Sequence, residues 1–369
     1  MNLNRFVDSY GVYTFDEVPF TEVDNVIFAT LSYVPFQNNI STTKFHPRRL
    51  QDVANDFFSN YSKKDKNIYA VRKAIKLLDV LRATRRYKDL LLYNYIYESG
   101  YDEQFSAFTI EINRRLVYVS FEGTDQLVSG WKEDFMFSYV FPTISQRRAI
   151  DYVNKHFLFS RKQIILGGHS KGGNLAIVAG MYANFLVKDR IIKIYNNDGP
   201  GLLKEQIDSK YYQSIQSRLV NIIPNNSVVG ILLHHNDMYV IRSMKKGVFS
   251  HDVMSWVVRD KEFERTDLSP FSKELHDRLI QWIEKYDIDT RRKFVISLFS
   301  VFDRAGVNSI IDIFENKKLI LKLILEMKEI EHDIRAMIKD FLLLLFHTSS
   351  DVKVEEIKMM FQKRGKVTE

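Results

Sequence analysis

The segment of this 369-residue chain with the clearest chemical content is GHSKG at positions 168–172. A G-x-S-x-G pattern is typical of a sharp turn from a strand into a helix, with the serine hydroxyl exposed as a nucleophile. The context fits, because an apolar run at 163–166 precedes the turn and a helical pattern follows it. Gly168 and Gly172 flank the turn because crowded backbone there leaves no room for side chains. We therefore predict that Ser170 is a nucleophile for acyl transfer.

A serine hydroxyl becomes a strong nucleophile only when a base accepts its proton, and the usual base is a histidine oriented by a carboxylate. His251 is the best candidate, because it follows the last predicted strand in a loop setting, where such a base must lie. His169, inside the turn, is expected to pack beside it and support it. The other downstream histidines lie in a polar loop or in helical patterns, where surface or packing roles are more common: His234, His235, His276, His332 and His347.

The predicted carboxylate is Asp198, which directly follows an apolar strand pattern at 191–196 and precedes a Gly-Pro-Gly turn. Strands that run parallel end at the same edge of a sheet, so Asp198 and Ser170 are expected to lie close together. Asp237 is the rival candidate for this acid. The chain order serine, acid, histidine is that of proteins with this type of turn.

Stabilising the negative charge that develops on an attacked carbonyl requires backbone N–H donors. One predicted donor is the N–H of Lys171, the residue directly after the nucleophile. The other is Thr124, in the segment FEGTD at 121–125, which follows a predicted strand and whose threonine also offers a hydroxyl.

The composition narrows the possible chemistry further. The chain has no cysteine, which excludes disulfides, thiolate nucleophiles and thiolate metal sites. It has 53 Lys and Arg against 46 Asp and Glu, a net charge of +7. Its basic clusters, at 85–88, 114–115 and 245–246, carry no nucleic-acid motif and are interpreted as solvated surface. We expect no nucleic-acid partner, whereas peripheral contact with an anionic membrane stays open.

The pattern of predicted helices and strands that must position these residues changes near residue 260. Residues 1–260 alternate strand and helix patterns after N-terminal helices, which predicts an α/β fold with a mostly parallel sheet covered on both faces. Residues 261–369 have helical patterns only and are predicted to form an all-helical extension. Predicted helices occupy 22–33, 70–91, 144–157, 174–186, 272–286, 290–302, 309–346 and 354–364; predicted strands occupy 105–112, 116–121, 163–166, 191–196, 218–223 and 238–242.

The N-terminal 20 residues lack the basic start and apolar run of a secretory signal, and no stretch is apolar enough to span a membrane. We therefore expect a cytoplasmic protein. The aromatic segment at 135–142 has two interpretations that stay open: it lines an acyl pocket or lid, or it is a core loop under the sheet.

These motifs together resemble the class 3, fungal-type lipases of the α/β-hydrolase fold. The VSFEGTD block at 119–125 is similar to the oxyanion strand of that family, and 164–176 to its G-H-S-x-G-G turn. The chain is more similar still to a bacterial lipase-like family of uncharacterised function, in the turn at 168–174, NDGPG at 197–201, the segment 224–230 and HDVMSW at 251–256. This resemblance covers roughly residues 18–257.

The resemblance implies a serine esterase or lipase that needs no metal or cofactor and acts on a small-molecule or lipid ester. Two departures modify the expectation. Class 3 lipases usually place their acid after the strand corresponding to 218–223, where this chain has Asn225 and Asn226. Lys171 replaces the usual leucine and brings positive charge near the site, which argues against neutral triglyceride. The alternative is a non-catalytic hydrolase-fold protein that binds its ligand, at an anionic membrane surface or elsewhere.

Overall fold

The computed structural model describes residues 2–61, 69–99, 104–124, 128–307 and 317–346. An eight-stranded sheet in which spatial order follows chain order forms the centre of the molecule. Strands β1 to β4 pair antiparallel, and β4 to β8 pair parallel. The strands are β1 (Arg48–Arg49), β2 (Leu91–Ser99), β3 (Gln104–Asn113), β4 (Leu116–Phe121), β5 (Gln163–His169), β6 (Ile191–Asn197), β7 (Leu219–Pro224) and β8 (Tyr239–Ile241); a separate pair is β9 (Val258–Arg259) and β10 (Glu262–Phe263).

Helices cover both faces of the sheet, so the predicted α/β architecture with C-terminal helices is confirmed. The helices are α1 (Leu3–Tyr10), α2 (Glu22–Leu31), α3 (Leu50–Asn60), α4 (Tyr69–Leu81), α5 (Val128–Met136), α6 (Ile144–Phe157), α7 (Lys171–Tyr182), α8 (Phe185–Lys188), α9 (Lys204–Ile207), α10 (Lys210–Gln213), α11 (Pro270–Lys285), α12 (Ile288–Ala305), α13 (Lys317–Glu326) and α14 (His332–Phe346). Among the described residues, no helix is long and apolar enough to cross a membrane.

Alternation along the central strands builds two separate cores, because successive side chains of a strand point to opposite faces. On β4, Val117 and Val119 pack into the core that contains α6 and α7. Tyr118 points the other way, into the core formed with α1, α2 and α4. The neighbouring strand β5 is thereby buried on both sides, and it ends at the serine turn.

A buried ion pair joins helix α2 to the turn between α4 and β2. The guanidinium of Arg86 donates two hydrogen bonds to the Asp24 carboxylate, at 2.8 and 2.6 Å, and both side chains are fully buried. The hydroxyl of Tyr87 donates to the same carboxylate at 2.7 Å. The interpretation of the cluster at 85–88 as solvated surface is therefore wrong for Arg86, whose charge is neutralised inside the protein.

Several elements differ from the predicted ones. The helix expected over 70–91 ends at Leu81, and the strand β2 that begins at Leu91 was not predicted. Helix α5, which was not predicted, includes the first two residues of the aromatic segment at 135–142. The helix predicted at 354–364, and residues 309–316 of the one predicted at 309–346, lie outside the described residues.

The C-terminal helices pack on the sheet domain at two places. Helix α11 places Leu275 and Leu279 in a core with Ile223 of β7 and with Ile231. Helices α12, α13 and α14 form a further core against which α5 packs its aromatic side chains. These helices therefore cover the carboxyl edge of the sheet, where the predicted site residues lie.

Candidate active site

Ser170 lies at the junction between β5 and α7 in a strained conformation. Its φ and ψ are 56° and −132°, a region that residues with a side chain rarely adopt. The N–H of Ser170 donates to the carbonyl of Asn197 at 3.0 Å, which ties the turn to β6. A Cβ at Gly168 would collide with the backbone of Gly172, so this pair of glycines is what permits the close turn.

Asp198 and His251 form a hydrogen-bonded pair. Asp198 follows β6 directly, is fully buried, and its Oδ2 lies 2.7 Å from Nδ1 of His251. Its other oxygen, Oδ1, accepts from the Ser227 hydroxyl at 2.5 Å and from the Gly230 N–H at 3.0 Å. Because Nδ1–H donates to the carboxylate, Nε2 of His251 is the nitrogen left with a lone pair to accept a proton.

His169 holds the backbone of His251. Its Nε2 lies 3.0 Å from the carbonyl oxygen of His251, and its Nδ1 lies 2.9 Å from the hydroxyl of Tyr33. The two imidazole rings stack with centroids 4.3 Å apart. Burial, and then the neighbouring His251, lower the pKa of His169 well below its usual value. A neutral His169 thus donates from Nε2 and accepts at Nδ1, a role that the sequence did not reveal.

Ser170 and His251 are brought to one site through His169, which precedes the serine and stacks on the base. Within the described part of the chain, no hydrogen bond joins the Ser170 hydroxyl to the His251 ring. Such bonds are often long or poorly aligned until a substrate is present.

The predicted oxyanion donors belong to two segments next to the serine. Lys171 is the first residue of α7, so its N–H belongs to the first turn, whose donors have no partner within the helix. A Cβ at Gly123 would lie 3.1 Å from the Ser170 Cβ, which brings the loop after β4 against the nucleophile. The hydroxyl of the adjacent Thr124 donates to Asp134 Oδ2 at 3.0 Å. Asp125, in the same predicted block, lies outside the described residues.

The side chain of Lys171 points into the protein. Its Nζ lies 2.9 Å from Glu133 Oε2 and 2.7 Å from the carbonyl oxygen of Gln104, and the residue is 1% exposed. Glu133 also accepts from Thr143 and Ser145. The inference that Lys171 presents positive charge to a substrate is therefore wrong, because the charge is buried and paired.

The rival acid and bases lie elsewhere. Asp237 is exposed, whereas Asp198 holds His251. Burial lowers the pKa of His235 to about 3, and His234 lies 4.0 Å from Glu284. Asn225, at the position of the usual class 3 acid, accepts at its Oδ1 from the N–H of Ser243 at 3.0 Å and so has a structural contact there.

Comparison with known proteins identifies a family and shows a weak likeness to a solved structure. The crystal structure of M37 lipase is similar over 57% of this chain and 70% of that one, with 13% sequence identity and a TM-score of 0.36. No curated protein matches the chain. The sequence model of the Mbeg1-like family matches residues 81–300, a segment that contains Ser170, Asp198 and His251 and ends within α12. The match spans more than half of the sequence, and the chain belongs to the Mbeg1-like family, a lipase-like family.

Proposed function

We propose that this protein is a serine hydrolase of the lipase and esterase type, with an α/β-hydrolase fold, that cleaves a carboxylic ester. The observation that carries the proposal is the 2.7 Å hydrogen bond between His251 and Asp198, at the sheet edge where Ser170 sits in a strained turn. A buried carboxylate, an oriented imidazole and an activated serine are the parts that acyl transfer requires.

In the proposed reaction, the Ser170 Oγ attacks the ester carbonyl carbon while its proton passes to Nε2 of His251. Asp198 keeps the imidazole oriented and stabilises its positive charge. The N–H groups of Thr124 and Lys171 stabilise the oxyanion. The C–O bond to the alcohol then breaks, and His251 returns the proton to the departing oxygen. Water, deprotonated by His251, hydrolyses the acyl-serine and restores the enzyme.

The buried position of Lys171 bears on the substrate. Its ammonium is paired with Glu133, so the preference for an acidic ester that an exposed lysine would favour has no support from this residue. Neutral esters are accordingly part of the proposed substrate class, as are lysophospholipids.

The test is hydrolysis of p-nitrophenyl esters by the purified protein and by Ser170→Ala. Loss of the nucleophile should lower kcat at least about 10³-fold. Ser217→Ala, an exposed serine outside the site, is the matched control and should retain full activity. Equal activity in Ser170→Ala and the parent protein would contradict the proposal. A folded protein with no esterase activity would favour the alternative of a non-catalytic binding protein.

A further inference from the structure

A mostly apolar pocket lies between the sheet domain and the C-terminal helices. Its walls come from Phe135 on α5, from Leu232 in the loop after β7, and from Leu279, Ile283 and Val295 on α11 and α12. The empty space in and at the mouth of this pocket is about 540 Å³. A pocket of this kind, apolar with few polar groups, is the usual form of a small-molecule site.

The pocket adjoins the predicted catalytic groups. Asp134, at its wall, accepts the hydrogen bond from Thr124 in the loop beside the nucleophile. Pro200, another wall residue, lies two positions after Asp198 in the turn that follows β6. The N–H of Gly201 in that turn donates to the carbonyl of Leu232 at 2.9 Å, which closes the wall.

Two polar atoms in the wall have no hydrogen-bond partner among the described residues. They are Oδ1 of Asp134, whose residue is only 6% exposed, and Nε1 of Trp282 on α11. Buried polar atoms are nearly always paired, so each such atom calls for an explanation. A ligand that carries a hydrogen-bonding oxygen on an apolar frame would supply the missing partners.

We propose that this pocket binds the acyl chain of the ester, and that the chain is aliphatic with a hydroxyl substituent. The hydroxyl accepts from Trp282 Nε1–H or donates to Asp134 Oδ1. The acyl group stays on Ser170 after the alcohol has left, so it is the part of the ester that suits a pocket between the sheet and the C-terminal helices. The alcohol leaves past His251, whose side chain is 20% exposed. This inference rests on the proposed function and makes the C-terminal helices part of the substrate site.

The first experiment fills the pocket. Ile283→Trp adds bulk at a half-buried wall position, and Ile296→Trp makes the same change at a position of α12 that is 55% exposed. Ile283→Trp should lower the ratio of kcat/KM on p-nitrophenyl octanoate to that on p-nitrophenyl acetate about tenfold or more, and Ile296→Trp should leave both values unchanged. Equal losses on octanoate and acetate at an unchanged Tm, or no loss on either, would overturn the acyl assignment.

The second experiment tests the hydroxyl. p-Nitrophenyl esters of octanoate and of a set of monohydroxyoctanoates differ only in one oxygen. At least one hydroxyoctanoate should be preferred about fivefold, as one added hydrogen bond implies. Trp282→Phe removes the indole N–H but keeps an aromatic ring, and should reduce the ratio of kcat/KM on the hydroxyoctanoate to that on octanoate, whereas Ile296→Trp should leave this ratio unchanged. Absence of any preference, or its full persistence in both Trp282→Phe and Asp134→Asn, would contradict the hydroxyacyl assignment.

A third readout does not depend on catalysis. Binding of 8-bromooctanoate to Ser170→Ala should quench tryptophan fluorescence saturably, and Trp282→Phe in that background should remove the quenching. Quenching without any ester hydrolysis by the parent protein would overturn the proposed function and keep the pocket. Hydrolysis without quenching, or quenching unchanged by Trp282→Phe, would overturn the pocket and keep the proposed function.

Discussion

Asp198 has a hydrogen-bond partner for each of its oxygens. Ser227 and Gly230 donate to Oδ1, and this leaves Oδ2 for His251. Buried polar atoms are nearly always hydrogen-bonded, and both oxygens of this carboxyl group meet that requirement. The same contacts fix its orientation, so the imidazole of His251 is aimed by a rigid group.

Replacing Asp198 by Asn should lower kcat on a p-nitrophenyl ester by about 10³- to 10⁴-fold, because the amide favours the wrong imidazole tautomer. Asp237→Asn, the same change at the exposed rival carboxylate, should leave kcat unchanged. The measurement is steady-state kinetics with far-UV circular dichroism as the check on folding. A large loss in Asp237→Asn with a small one in Asp198→Asn would reverse the assignment of the acid.

At the scale of single residues, motif spacing predicts catalytic residues where the reaction requires a particular residue type at a particular position. The G-x-S-x-G pattern and the strand-end aspartate predict Ser170 and Asp198 from the sequence alone. His169 shows the limit of this reasoning. Its bond to the carbonyl of His251 joins residues 82 positions apart, and no local pattern contains such a contact.

Helices α5, α6 and α7 meet at the buried ion pair of Lys171 and Glu133. The pair joins the start of the nucleophile helix to α5, and Glu133 also binds the start of α6 through Thr143 and Ser145. Breaking a buried pair is costly because the remaining charge has no compensation. The pair therefore helps to fix α5, and with it Asp134, against the serine turn.

Lys171→Met should lower the free energy of unfolding by about 3–5 kcal/mol, since Glu133 is left charged in the interior. Arg278→Met removes the same kind of charge from an exposed pair with Glu274 and should change stability by less than about 0.5 kcal/mol. Urea denaturation measures both. Adding Glu133→Gln to Lys171→Met should recover part of the loss, and a fully additive double variant would contradict the pairing.

At the scale of elements, the spacing of apolar residues predicts the helices and strands that pack against the core through one regular face. The helix expected at 144–157 has the bounds of α6, and the hairpin of β3 and β4 was predicted closely. Strand β2 was missed because the apolar residues before it continued a helical pattern. It also contains a register shift near Asn94, whose φ is 55°, and this interrupts the alternation that would reveal a strand.

At the scale of the whole molecule, residues before and after position 260 meet around the buried carboxyl group of Asp134. Asp134 faces a pocket whose opposite wall comes from α11, α12 and α14. Burial raises its pKa to about 7, against the opposing influence of Lys171 and Thr124. The sequence predicted helices after residue 260 but not where they pack, because an apolar helical face does not specify which surface covers it. The domain division at 260 stays a prediction.

The raised pKa of Asp134 makes stability depend on pH. The folded state holds the proton that the unfolded chain releases near pH 3.8, so stability falls as pH rises from about 4 to about 7. Asp134→Asn removes this dependence and should raise the free energy of unfolding by on the order of 1–3 kcal/mol at pH 8. Thermal unfolding at several pH values between 5 and 9 measures the difference, which should shrink toward pH 5. A difference independent of pH would contradict the assignment.

The central claim, that Ser170 is an activated nucleophile, is tested most directly by covalent labelling. The folded protein would be treated with a fluorophosphonate probe, digested and analysed by mass spectrometry, alongside Ser170→Ala and a heat-denatured sample. The account predicts one adduct, on Ser170, that is absent from Ser170→Ala and from the denatured protein. A folded protein without an adduct, or one labelled equally in Ser170→Ala, would contradict it.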